Sequence, residues 1–369
     1  MSGSTTVDFD LHGLAGVRLV DPSPGDLAAV ARQLGPLPRV LGRDPDLVIR
    51  FVDRIELGSR LRYLGAREAG WTDDAFFVLR SRKQAVRVRL PMDRIGGPAE
   101  VVCEHGLPAV PFLIAILNLT VLGNGALPLH AAAFELDGVG VLVTGWSKGG
   151  KTELLMGAAG AGARYIGDEW VYLTTDGMMY GIPEPIRLWD WHLAQLPEVR
   201  RRLGIGERSK LRGIRALTRL DGWLPERLGR AGPFRLVRRA MPVVEGQAHV
   251  DVAPERLFGD LGDLSGRLDR ILLVVSAAGA GVTVEATDPT DVARRMVASL
   301  LYERSDLATL LAQARFAFPD LENPHLATFE SRQRELLLRI LAGRPAYIVT
   351  HPYPVDLAEL FEAIRPVVR

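Results

Sequence analysis

Eight consecutive residues concentrate the chemistry this sequence offers: Gly145-Trp146-Ser147-Lys148-Gly149-Gly150-Lys151-Thr152 satisfies the spacing G-x-x-x-x-G-K-[ST]. Glycines at these positions let backbone N–H groups converge on phosphate, and a helix opening at Lys151 adds the positive end of its dipole. Lys151 then reaches the β- and γ-phosphates of a bound nucleotide, and Thr152 offers its hydroxyl to Mg²⁺. The chain has four Lys against 41 Arg, and both Lys148 and Lys151 fall in this loop, where a compact point charge suits phosphate. Two acids, Asp168 and Glu169, follow 17 and 18 residues after Lys151. Such a pair divides the work of a phosphoryl transfer, one carboxylate holding metal and the other accepting a hydroxyl proton. The alternative is a pair of turn acids. The apolar run Arg270–Ser276, where a P-loop protein usually keeps its metal-side carboxylate, ends in Ser276-Ala277-Ala278-Gly279 and carries none.

These residues need elements to place them. The apolar run GVGVLVTG before the loop reads as a strand, and the Ala/Gly-rich segment from Lys151 to about Ala161 as a helix, the arrangement a phosphate loop requires. Leu129–Glu135 and Val139–Thr144 are apolar runs around Asp137-Gly138, a hairpin signal. Short strands are expected at Arg164–Ile166 and Val171–Thr174, with the acids between them, and further strands at Arg270–Ser276, Val282–Ala286 and Ala346–Thr350. Helices are expected at about 109–122, 291–302, 325–342 and 356–364. Residues 1–105 read as a separate, smaller α/β domain, with a helix at Leu27–Leu34 and strands at Asp46–Val52, Ala75–Arg80 and Ala85–Leu90, the last two joined by a turn at Arg82-Lys83-Gln84. The expected fold is α/β, with a catalytic domain over 106–369.

Beyond the loop itself, His130 on the strand before the hairpin, the run G-x-x-x-x-G-K-T-E at 145–153 with Ser147 and Glu153, and Gly167-Asp168-Glu169 followed by Val171 resemble the kinase domain of HPr kinase/phosphorylase and its relatives. The resemblance runs from about Leu127 to Leu173. It implies a P-loop kinase domain distantly related to phosphoenolpyruvate carboxykinase, with Lys151 and Thr152 on phosphate and Mg²⁺. By the same resemblance Glu169 takes the place of the acid that accepts the substrate's hydroxyl proton, Asp168 serves on the metal side, and His130 lies beside the catalytic acid. Glu184, in Pro183-Glu184-Pro185-Ile186-Arg187, falls where the family has a second metal-binding Glu followed by Arg. The family's Gly-rich stretch after it is replaced by Leu188-Trp189-Asp190-Trp191-His192, which argues against the family's usual protein substrate. Trp189, Trp191 and His192 are then either packing residues or the wall of a different acceptor pocket. His351 and His249, without a second ligand-like residue at metal spacing, read as structural.

Composition excludes several classes. With 369 residues, 47% hydrophobic and 24% charged, the chain has ample core and is neither disordered nor collagenous. A single cysteine, Cys103, rules out an internal disulfide and a multi-thiolate zinc site, and a reducing cytoplasm is the simplest setting. No secretory signal or membrane span is expected, because Asp8 and Asp10 interrupt the N-terminus and the longest uncharged stretch is broken by prolines and Gly123-Asn124-Gly125. The net charge of +1 hides a basic segment, Arg200–Arg239, with 12 Arg and Lys210 against Glu207, Asp221 and Glu226. It reads as a solvated insertion or as a flap over phosphates. Nucleic acid fits it less well, for want of interleaved aromatics. The expected ligands are ATP, Mg²⁺ and a hydroxyl-bearing acceptor, whether peptide, carrier protein or small molecule. A homo-oligomer stays open, as do two other functions: a nucleotide-binding switch and an ATPase.

Overall fold

The computed structural model describes residues 4–81, 84–223, 246–279 and 281–369. Arg82 and Lys83 of the expected turn and the 224–239 part of the basic segment lie outside the described residues. The chain forms an α/β protein built on two large sheets.

The first sheet has eight strands: β1 Thr6–Leu11, β2 Ala15–Val20, β3 Leu47–Val52, β4 Arg62–Leu64, β5 Ala69–Trp71, β6 Phe76–Ser81, β7 Gln84–Leu90 and β8 Ala99–Glu104, in the order β1-β2-β3-β8-β7-β6-β5-β4. Helix α1, Pro24–Leu34, begins on a reciprocal cap in which the Ser23 and Asp26 side chains each accept from the other's backbone, with Pro24 at the first helical position. Helix α2 spans Leu113–Gly123. It starts four residues later than the sequence suggests, because Pro111 disfavours helical geometry before it and Phe112 adopts φ +60°. The core of the first sheet is completed by α2 and by a helix from late in the chain, Ser305–Ala317, which contributes Leu307, Leu310 and Ala314. Asn323 ties the two halves again: it caps the helix Pro324–Leu341 while its amide donates to the carbonyls of Met92 and Ile95.

The second sheet carries the glycine-rich loop at 145–152. Its centre is the hairpin of β9 Leu127–Leu136 and β10 Val139–Gly145, turned at Asp137 (φ +50°) and Gly138 (φ +80°), as a two-residue hairpin with both central φ positive requires. Strands β17 Arg270–Ser276 and β19 Ala346–His351 continue from β10 in parallel, and β18 Thr283–Thr287 closes that edge antiparallel. On the other side, β11 Arg164–Gly167 and β12 Trp170–Leu173 both pair with β9, followed outward by β13 Met178–Gly181 and β16 Ser265–Arg267. A two-stranded ribbon, β14 Ile186–Trp189 with β15 His249–Val252, stands apart.

Period-two alternation makes this sheet the middle of three layers. Ala132, Phe134, Val141 and Val143 face helix α3, Lys151–Gly160, and the helix Leu357–Ile364. Leu129, Ala131, Ala133 and Leu142 face the helices Pro289–Glu303 and Pro324–Leu341. The three alanines of β9 keep both helix layers close to the strand. The described part of the basic segment is largely helical, with Ile205–Trp223 anchored by the Arg215–Asp190 ion pair and by Lys210 on the His249 carbonyl. Among the described residues no helix is long and apolar enough to cross a membrane.

Candidate active site

The phosphate loop leaves the carboxyl end of β10 beside its parallel neighbour β17, the end at which ligands bind in open α/β sheets. Trp146 accepts a hydrogen bond from Gly149 N–H at 3.0 Å, Lys148 takes φ +60°, and Gly150 takes φ +109° directly before α3. A β-carbon on Gly150 would lie 2.1 Å from His351 Nε2, so only glycine fits. His351 approaches the loop from β19, with Nε2 2.9 Å from the Gly149 carbonyl oxygen. Lys151, 5% exposed, donates to the Trp146 carbonyl at 3.0 Å and lies 3.5 Å from that of Gly145. Burial lowers its pKa, and the surrounding carboxylates Glu169, Asp168, Glu303 and Glu153 offset that only in part.

Behind the loop, Glu153 is buried on α3 and meets His192 Nε2 at 3.1 Å. The Trp189 N–H donates to His192 Nδ1, so Nε2 carries the proton and donates to Glu153. Burial pushes the Glu153 carboxyl up, but the hydrogen bond from His192 is the largest of the effects that outweigh it and the net shift is downward. Of the two readings for the Trp189–His192 stretch, His192 thus braces the helix of the phosphate loop. Trp191 packs edge-on against Tyr353.

The acidic pair interrupts the strand that runs along β9. Between Tyr165 and Gly167 the pairing slips by one residue, a bulge of the kind that re-aims side chains beside functional sites. Trp170 N–H then bonds back to the Asp168 carbonyl at 2.8 Å around Glu169, whose φ is +64°. This is a γ-turn of the rare positive-φ form, strained for a residue with a β-carbon. It sends the two carboxylates to different partners. Asp168, 3% exposed, accepts from the Thr152 hydroxyl at 3.2 Å. Glu169, half exposed, meets His130 Nε2 at 2.9 Å.

His130 sits between two carboxylates, because its Nδ1 lies 2.9 Å from Glu303 Oε1. That second approach is ionic and lacks the alignment of a hydrogen bond. Burial alone would lower the His130 pKa; Glu169 and Glu303 outweigh it and raise it, favouring the imidazolium. The acids are pushed apart: the hydrogen bond from His130 holds Glu169 below the usual carboxylate range, whereas burial and then the Glu169 charge raise Asp168.

Lys151, Thr152, Asp168, Glu169 and His130 therefore meet at one end of the sheet, and Ser147 lies close enough to lower the Glu303 carboxyl together with His130. Thr152 and Asp168 present hard oxygen donors in contact with each other, a set suited to Mg²⁺ alongside phosphate oxygens. Glu184 precedes β14, where its charge acts on Tyr165 and Tyr172. Among the described residues no group of three or more His, Cys, Asp or Glu side chains is arranged to hold a metal. One residue, Glu303, escapes the sequence reading. Glu303 is the last residue of the helix Pro289–Glu303, which packs along the loop through Ser299 on the Gly145 carbonyl and Tyr302 against Trp146. His351 supports the loop itself and carries no motif.

A scan of family models and a search of curated proteins return no match to this chain.

Proposed function

We propose that this protein is an ATP-dependent phosphotransferase of the HPr-kinase-like P-loop type, moving the γ-phosphoryl group of ATP onto a hydroxyl. The observation that supports this reading best is the pairing across the acidic turn: Asp168 reaches Thr152 at the start of the phosphate-loop helix while the adjacent Glu169 is held by His130. A bare phosphate-binding loop needs the first contact and has no use for the second.

In the reaction the acceptor oxygen forms a bond to the γ-phosphorus as the bond to the β,γ-bridging oxygen breaks, and ADP leaves with that electron pair. Glu169, ionised and half exposed, takes the acceptor's hydroxyl proton. His130, fixed from its far side by Glu303, positions the Glu169 carboxylate. Lys151 swings from the loop carbonyls to the phosphates, and the backbone N–H groups of the first turn of α3, which have no intrahelical partners, point at them. Mg²⁺, when bound at Thr152 and Asp168 with the phosphates, neutralises charge on the transferring group.

Nucleotide titration and steady-state turnover of two variants test the assignment. Lys151→Ala loses both binding and turnover. Glu169→Gln binds Mg·ATP within a few-fold of wild type and turns over at least about a hundredfold more slowly, the usual scale for a lost general base. Unchanged turnover in Glu169→Gln overturns the base assignment.

A further inference from the structure

A cavity of about 580 Å³ opens between the first sheet, α2 and the helices that follow Glu303. It shares a wall with the site above: Glu303, which touches His130, lines it, and so does Trp170, the residue after Glu169, whose ring lies 5.7 Å from that of His130. Another cavity, of about 660 Å³ between Asp74–Phe76 and Ala317–Leu321, contains no residue of that site.

Gln33 on the cavity wall is paired both ways with the Val110 backbone, but three other lining side chains keep hydrogen-bonding capacity unused. Gln333 is 3% exposed and makes no hydrogen bond among the described residues. Asn118, 6% exposed, accepts from the Tyr172 hydroxyl through Oδ1 and leaves its amide nitrogen uncommitted. Arg304 stacks its guanidinium 3.6 Å above the Phe329 ring, and its Nη2 is buried without a hydrogen-bond partner. Glu330, the carboxylate that acts on Arg304, is paired with Arg334. Of the acids on the cavity wall, Glu303 is engaged by His130 and Ser147, and Asp306 is exposed at the rim. Buried donors are rarely left unmet in a folded protein, and an idle guanidinium is the costliest of them. A flat ring beneath it fixes the fork in the geometry that grips a carboxylate or phosphate with two parallel bonds.

We propose that this cavity is the acceptor site, and that the acceptor is a small alcohol carrying an oxyanion, bound through Arg304, Gln333 and the Asn118 amide with its hydroxyl toward Glu169. The volume falls in the range of small-molecule clefts, which favours a metabolite-sized ligand over the surface of a carrier protein. This inference rests on the phosphotransferase reading for the direction of transfer and on the cavity alone for binding.

Calorimetric titration without nucleotide separates the two. Glycerate and serine probe a carboxylate, glycerol 3-phosphate probes a phosphate, and glycerol is the uncharged control. At least one anion binds at millimolar concentration or below, glycerol does not, and Arg304→Met weakens binding at least about tenfold, as loss of a charged hydrogen bond implies. Nucleotide affinity of that variant stays at the wild-type value. Gln333→Leu, close in shape, gives the same direction of change and carries the test should Arg304→Met fail to fold. Absence of binding by all three anions, or binding indifferent to both substitutions, overturns the proposal. ATP-dependent phosphorylation of a protein serine that persists in Arg304→Met also overturns it and leaves the phosphotransferase reading standing. Anion binding that depends on Arg304 without any transfer to the bound alcohol overturns the acceptor role instead.

Discussion

Glu169 holds φ +64° at the centre of its γ-turn, pinned by Trp170 N–H on the Asp168 carbonyl and by Ala131 N–H on its own carbonyl. A residue with a β-carbon is disfavoured by roughly 1–2 kcal/mol in the left-handed region, a cost glycine escapes. Glycine in turn loses about 0.4–1 kcal/mol relative to alanine through the greater freedom of its unfolded chain. Comparing Glu169→Gly with Glu169→Ala removes the His130 contact from both variants, so the difference isolates the backbone. Taking mid-range values, the glycine variant is expected to be more stable than the alanine variant by about 0.8 kcal/mol, the reverse of the ordinary order within a strand. Urea unfolding followed by tryptophan fluorescence measures the difference, and both variants should be catalytically dead. Strain retained at a residue whose side chain does the chemistry is a stability cost carried for function. An alanine variant as stable as the glycine variant refutes the strain argument. Wild-type turnover in either refutes the catalytic one.

Three further outcomes are expected. Gly150→Ala should abolish nucleotide binding and destabilise the fold by at least about 1–3 kcal/mol, because its β-carbon would fall 2.1 Å from His351 Nε2 at a φ of +109°; thermal unfolding and nucleotide titration check both parts. His192→Ala should cost about 1–3 kcal/mol, since it leaves the buried Glu153 carboxylate without its donor, and Glu153→Gln in the same background should recover part of that loss in denaturant titration. Asp26 is fully buried, and although burial raises its pKa, hydrogen bonds from Ser23, His105 and Gly106 outweigh it and leave the carboxyl below its ordinary value. A folded pKa below the unfolded one contributes stability above the unfolded value near ~4 and loses it as pH falls through the folded value. Acid unfolding of Asp26→Asn should accordingly show a shallower loss of stability below about pH 4 than the wild type.

The parts of the site that are contiguous in sequence were legible there. Strand, glycine loop and helix announce themselves between Val139 and Gly160, and Asp137-Gly138 marks the hairpin because few other dipeptides accept two positive φ values. The placement of Asp168 and Glu169 beside the loop follows from their strand pairing with β9, which their spacing from Lys151 implies only through the resemblance. Glu303 was not legible, because a single acid at a helix end carries no periodic or motif signal, and only tertiary packing brings it to His130 across 173 residues of chain. His351, read from the sequence as structural, has a backbone carbonyl of the loop as its partner, which no side-chain pattern encodes. In the first sheet, β1 (TVDFDL) was not among the expected strands although it alternates apolar and polar residues, and β4 and β5, three residues each, are too short for any periodicity. The helix Ser305–Ala317 belongs to the core of the first sheet although it lies some 200 residues downstream of it, a return that local propensity does not carry.

The most direct test of the phosphotransferase account is a single-turnover time course with ATP labelled at the γ-phosphate, protein in excess, and the small anionic alcohols present. The account predicts label in a phosphomonoester, appearing at least about a hundredfold more slowly in Glu169→Gln. Label recovered only as inorganic phosphate, or transfer at the same rate in both proteins, contradicts it.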